Sequence, residues 1–377
     1  MLGAYPPSVV GSRSSVNVLL ELNPIISCAI VDGVRPRGRE APWAAPPSGA
    51  GPVLRELVFA PVAEKLAEVE RRIQVKISSR ADLISEVTNY VLGGGGKRVR
   101  PGLLLLSARM CGYDGGERDV DLAVVAEFMH AATLIHDDII DNAQKRRGRP
   151  SAPARWGPHV SVLAGDFLYS HSIQRLVRDG DFQVLKAFAD ATVAMTEGEI
   201  LELRWHRNPD VLHQDYLTII TCKTAALFSA ACRSGALIAG VDEPRVEALT
   251  EFGLNLGIGF QLVDDALDFA ASEEILGKPV GNDLVEGKVT YPLIYVLHQD
   301  DSPERDHIRD LLSNGQLKEA DVERIRRYVT EGGGVLASVE EARKYLRKAR
   351  QQLVPFPDTV ARRSLEMLVD FIVERQW

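Results

Sequence analysis

The chain has 377 residues, 45% of them hydrophobic and 25% charged, the composition of a globular protein with a sizeable core. Lys plus Arg number 44 against 52 Asp plus Glu, and the net charge of −8 excludes a fold-wide basic footprint for nucleic acid. No uncharged apolar run approaches the roughly 18–20 residues of a membrane span, and the four cysteines (Cys28, Cys111, Cys222, Cys232) form no C-x-x-C pair.

Residues 1–52 hold eight of the 20 prolines, with four Arg against three acids, and no amphipathic period survives there. They read as an unstructured N-terminal extension. A transit peptide fits less well, because the arginines cluster late. From Val53 to the end the text predicts one all-α domain of about a dozen helices. Leu122, Val125, Ala126, Met129 and Ala132 recur at three- and four-residue spacing. Similar stripes run through 159–178, 182–204, 213–239, 243–270, 337–353 and 359–375. Gly- and Pro-rich breaks fall at 93–96, 112–116, 149–158, 208–209, 277–287 and 332–334, and alternating strand patterns are missing. The cysteine usage fits a reducing, cytoplasmic setting.

The sharpest feature is His136-Asp137-Asp138-Ile139-Ile140-Asp141. At a helix end Asp137 and Asp141 are i,i+4 neighbours, so their carboxylates share a face, with Asp138 beside them. Asp264, Asp265 and Asp268 repeat the spacing 127 residues later. Either cluster alone reads equally well as solvated charge. Acids at a helix C-terminus oppose the macrodipole, however, so stability does not explain two matched sets. Three crowded carboxylates without a nearby Cys suit Mg²⁺, which completes its shell with water and phosphate oxygens. A third feature is basic: Gly95-Gly96-Lys97-Arg98-Val99-Arg100-Pro101 joins a Gly-rich break to a new helix, where backbone N–H groups and cationic heads could meet a phosphate.

On these motifs residues 55–375 resemble the trans-isoprenyl (polyprenyl) diphosphate synthases. The resemblance implies an all-helical enzyme in which Asp137, Asp138, Asp141, Asp264 and Asp268 hold about three Mg²⁺ ions on an allylic diphosphate, with Asp265 in the second motif. Lys97, Arg98, Arg100, His130 and Arg147 then belong to the isopentenyl diphosphate site, and Arg146 to the allylic diphosphate. Lys223, Lys278 and Lys288 would add charge to the departing diphosphate, Thr224 and Gln261 match further substrate-binding positions, and Asp283 would hold a metal-bound water. A homodimer is implied as well. In short-chain members an aromatic residue lies four or five positions before the first Asp. Here those positions are Thr133 and Ala132, both small, so the cavity floor is expected deeper, at Met129, Phe128 or a facing helix near Phe167 and Leu168. The resulting expectation is a long, all-trans, octaprenyl-like product. Geranylgeranyl diphosphate synthesis is the alternative, and a terpene cyclase or head-to-head synthase a more distant one, since neither of those needs an isopentenyl site.

Overall fold

The computed structural model describes residues 57–74, 81–270, 281–315 and 317–373. The expected extension over 1–52 and Lys278 lie outside the described residues. A first helix pair, α1 (Ala63–Gln74) and α2 (Asp82–Leu92), buries Leu66, Val69 and Ile73 on one side and Val87 and Leu92 on the other. In α3 (Val99–Met110) Leu103, Leu104, Leu105 and Leu106 are all buried. A helix apolar on every side belongs in the interior, and α3 packs there against neighbours on more than one face. Next comes α4 (Arg118–Ile140), the longest element before the first acidic motif, with every residue from Leu122 to Met129 buried.

Between α4 and α6 the expected loop contains two small elements. Residues β1 (Lys145–Arg146) and β2 (Arg149–Pro150) form a two-residue antiparallel ladder, pairing Arg146 with Arg149. Too short to show alternation, it escapes a strand search. The single-turn α5 (Ala152–Trp156) follows, capped by Ser151, whose hydroxyl accepts from the Ala154 N–H. Pro158 opens α6 (Pro158–Asp179), and Gly180 closes it in the left-handed conformation. Asp181 then caps α7 (Phe182–Trp205), accepting from the N–H groups of Gln183 and Val184.

The stripe over 213–239 resolves into α8 (His213–Ile220), a π-turn at Thr221–Ala225, and α9 (Ala226–Ile238). The longest helix, α10 (Glu243–Ala270), is largely buried and packs along α9 and α15. After it come α11 (Asn282–Val285), α12 (Tyr291–Gln299), α13 (Pro303–Ser313), α14 (Glu319–Glu331), α15 (Gly334–Gln352) and α16 (Val360–Val373). The first acidic motif sits at a helix end, as expected, whereas the second lies within its helix. Asp137 and Asp138 lie in the last turn of α4 with Asp141 as its C-cap, and Asp264, Asp265 and Asp268 lie inside α10. Among the described residues no helix is long and apolar enough to cross a membrane.

Candidate active site

At the end of α4, Asp138 is buried and accepts from Arg146 Nε at 2.6 Å. Asp137 sits deeper in charge conflict. Burial, with Glu199 and Asp141 nearby, pushes its carboxyl up to about 7, against the pull of Lys223 and Arg146. On α10, Asp264 is exposed, whereas Asp265 and Asp268 are buried. The Asp283 N–H donates to Asp268 Oδ2 at 3.1 Å, so α11 is hung on the second motif.

Two lysines lie beside these motifs. From the turn after α11, Lys288 Nζ donates to Asp141 Oδ2 at 3.1 Å and to Glu286 Oε2 at 2.6 Å. From the π-turn, Lys223 pairs with Glu199 Oε2 at 2.7 Å and with Glu202. Burial works against both charges, but Glu202 beside each, with Asp137 and Glu199 near Lys223 and Glu286 and Asp141 near Lys288, holds both ammonium groups above the ordinary lysine range. The two acidic motifs are thus joined through Asp268, Asp283 and the Lys288 segment to Asp141. Both lysines stay cationic beside these acids.

A second, arginine-rich region lies beside the first motif. His130, two turns up α4 from Asp137, is driven well below its usual range by burial and by the charges of Arg100, Arg147, Arg146 and Arg98. The sequence placed these residues in two segments nearly fifty positions apart, and the fold brings them together. Arg100 is half-buried, lies 4.9 Å over the Phe228 ring, and its buried Nε has no hydrogen-bond partner among the described residues. Burial pulls its guanidinium down to about 10. Arg147, exposed at the edge of this region, donates to the Gly95 carbonyl, and partial desolvation by its surroundings lowers its pKa. Lys97 is exposed on the same turn. Such a concentration of cations, one with an orphaned donor, is built for a polyanion.

Arg98 departs from the expectation of a substrate ligand. Its guanidinium, 4% exposed, donates to both carboxylate oxygens of Glu70, to Glu127 and to the Leu92 carbonyl. Four hydrogen bonds to protein acceptors leave little for a diphosphate. Arg98 also adopts φ +49, a left-handed backbone it shares with Arg147 at φ +52. Non-glycine residues adopt it at a cost of about 1–2 kcal/mol, and the buried ion pairs offset that for Arg98. These bonds anchor the turn that carries Lys97 and Arg100.

Thr224 Oγ1 donates to Gln261 Oε1 at 2.8 Å, and Gln261 Nε2 donates to Asp265 Oδ1 at 2.7 Å. Sequence reasoning missed Glu199 and Glu202, although an i,i+3 acidic pair on α7 was there to be read. It also missed Glu127, Glu70 and Tyr216, which carry no local signal. Of the product-length candidates, Ala132, Met129 and Phe128 are fully buried, and Thr133 hydrogen-bonds the His130 carbonyl at 2.8 Å. Thr192 of α7 approaches Met129 Sδ at 4.0 Å, and Arg175 of α6 stands 5.6 Å over the Phe128 ring.

Among the described residues no three carboxylates already converge as a preformed metal cage. The donor set nevertheless fits a hard divalent cation, with oxygen ligands only and lysines beside acids that burial has left short of positive charge. Such a cation would take its remaining oxygens from water and a diphosphate.

Residues 81–329 match the Polyprenyl synthetase family. The octaprenyl diphosphate synthase of Escherichia coli (strain K12) is 36% identical over 313 residues, covering 83% of this chain and 96% of the relative. An all-trans-nonaprenyl-diphosphate synthase (geranyl-diphosphate specific) of Rhodobacter capsulatus is 36% identical over 318 residues, 84% of this chain and 97% of the relative. The crystal structure of a polyprenyl synthase from Caulobacter crescentus CB15, complexed with calcium and isoprenyl diphosphate, superposes with a TM-score of 0.80 at 36% identity, covering 87% of this chain and 99% of that one. The architecture is the all-α isoprenoid synthase fold. The chain belongs to the polyprenyl synthetase family and is an enzyme that transfers prenyl groups, a trans-prenyl diphosphate synthase.

Proposed function

We propose that this enzyme condenses isopentenyl diphosphate with an allylic diphosphate, in the presence of Mg²⁺, to a long all-trans polyprenyl diphosphate, with octaprenyl the central length. The observation that carries the reading is the pairing of Lys288 with Asp141, which ties the two acidic motifs around one site next to the cationic pocket of Arg100, Arg147 and His130. About three Mg²⁺ would be held by Asp137, Asp138, Asp141, Asp264 and Asp268, and their chemistry is to neutralise the leaving diphosphate. Lys223 and Lys288 add charge to the same oxygens as the allylic C1–O bond breaks and its electron pair leaves with the diphosphate. Lys97, Arg100 and Arg147 hold the isopentenyl diphosphate so that its double bond faces C1. Its electrons form the new carbon–carbon bond, and the proton then lost goes to the released diphosphate.

Long product rests on the small side chains below Asp137. One helical turn rises about 5.4 Å, close to one isoprene unit, and Ala132 leaves the first turn unblocked. The long-chain relatives from Escherichia coli and Rhodobacter capsulatus support the same length class. A homodimer is proposed from an exposed apolar face: Ile173 and Val177 on α6 with Phe182, Val193, Ile200 and Leu203 on α7. Cys111, Cys222 and Cys232 are all free, which supports a reducing, cytoplasmic setting. Product analysis after incubation with farnesyl diphosphate, isopentenyl diphosphate and Mg²⁺ tests the reading. Chains of about six to ten units are expected, and product ending at geranylgeranyl diphosphate would overturn the length.

A further inference from the structure

Tyr216 lies on α8, outside both acidic motifs and every basic segment of the site, and it is buried. Its phenol O–H donates to Asp265 Oδ2 at 2.7 Å. With Gln261 Nε2 on Oδ1 at 2.7 Å, both oxygens of Asp265 are engaged by protein donors. Asp265 therefore faces a tyrosine and an amide side chain. The Gln261 amide turns its nitrogen toward Asp265 and its oxygen toward Thr224. The Thr224 hydroxyl must then donate to that oxygen, at 2.8 Å. One chain of hydrogen bonds, each with a fixed direction, runs from α8 through α10 to the π-turn that carries Lys223.

The turn has little other freedom. A Cβ on Gly198 of α7 would come within 2.8 Å of Lys223 N, and one on Gly257 of α10 within 2.6 Å of the Ala225 Cα. Two glycines thus admit the widened turn between α7 and α10, and the relay fixes the polar groups at its inner side. Single π-turns inside helices are frequent at functional sites.

We propose that Tyr216 is a positioning residue for the allylic half of the site: through Asp265 it orients Gln261 and Thr224, and so sets the Lys223–Thr224 turn relative to Asp264 and Asp268. The inference rests on the proposed function. Without the phenol O–H, Asp265 Oδ2 is a buried acceptor lacking its donor, and the carboxylate reorients, taking the amide with it. The pocket around His130 and Arg100 is untouched, so the isopentenyl side keeps its affinity.

The test is Tyr216→Phe in the full-length enzyme with Mg²⁺, a change that keeps the ring beside Tyr291, 5.9 Å between centroids. Two readouts are needed: the separate KM values, and calorimetric binding of farnesyl thiolodiphosphate, an analogue that does not ionise readily. The expected result is about tenfold weaker analogue binding and about a tenfold higher KM for the allylic substrate, with KM for isopentenyl diphosphate within twofold. Equal rises in both KM values, or unchanged analogue binding, would overturn the proposal. Asp265→Ala provides a second variant should Tyr216→Phe fold poorly. It leaves the Tyr216 phenol and the Gln261 amide without their shared acceptor, so it should show the same split, and an unchanged allylic affinity there would also overturn it. Failure of wild-type enzyme to incorporate isopentenyl units would instead overturn the proposed function.

Discussion

Lys288 and Asp141 are 147 residues apart in the chain, yet Lys288 Nζ donates to Asp141 Oδ2 at 3.1 Å. The contact closes the site, because the segment bearing Lys288 is itself bonded to the second motif through Asp283 and Asp268. His206 supports it from outside, its Nε2 lying 2.9 Å from the Glu286 carbonyl oxygen.

Lys288→Met should therefore act on the ionising half of the reaction. We expect kcat to fall by about 10²-fold, the size of effect seen on removing one group that stabilises a developing anion. KM for isopentenyl diphosphate should hold, because the arginines that bind it lie elsewhere. Steady-state kinetics with each substrate varied in turn will check this; an unchanged kcat would remove Lys288 from the chemistry.

Product length offers a steric test. Ala132 is fully buried, five residues before Asp137. Ala132→Phe should shorten the product to about three or four units, by blocking the tail about one turn below the reacting carbon. Phe128→Ala should act in the opposite sense, since a longer tail must pass its ring. Chromatography of the dephosphorylated products distinguishes these outcomes from a cavity closed by another helix, for which Ala132→Phe changes nothing.

Arg98 separates a structural from a ligand role. Arg98→Met strands Glu127 and Glu70 without their shared cation, and removal of one partner from a buried pair costs about 3–5 kcal/mol. The expected result is a large loss in chemical-denaturation stability. A variant of unchanged stability but weakened isopentenyl diphosphate binding would return Arg98 to the substrate.

His130 should make stability depend on pH. Its folded pKa lies well below the usual 6.5 because burial and four arginines disfavour its charge. The unfolded chain therefore binds a proton that the folded chain refuses, and stability falls as pH drops below about 6.5. The slope contributed is at most about 1.4 kcal/mol per pH unit. Urea midpoints at pH 7.5 and pH 5 should differ less in His130→Asn than in wild type, and equal differences would contradict the assignment.

The helices were legible because their apolar stripes repeat over many turns, and the acidic motifs because their spacing is local. The ion pairs of Arg98 were not legible for the opposite reason: Glu70 and Glu127, which take its donors, lie 28 and 29 residues away and carry no pattern. Tyr216 and Asp265 are separated by 49 residues and looked unrelated. The π-turn within 221–225 was not legible, because its one-residue slip, a five-residue step from buried Ile220 to buried Ala225, lies inside a run already rich in apolar residues. Local chemistry names candidate residues, and only packing decides which of them face the substrate.

The most direct measurement is incorporation of ¹⁴C-isopentenyl diphosphate into polyprenyl product by the purified chain alone. Wild-type enzyme with farnesyl diphosphate and Mg²⁺ should build labelled chains, and Asp137→Ala and Asp264→Ala should build none while keeping the helical circular dichroism of the wild type. Label incorporated at an undiminished rate by either variant, or by wild type in excess EDTA, would contradict a reaction centred on the two acidic motifs.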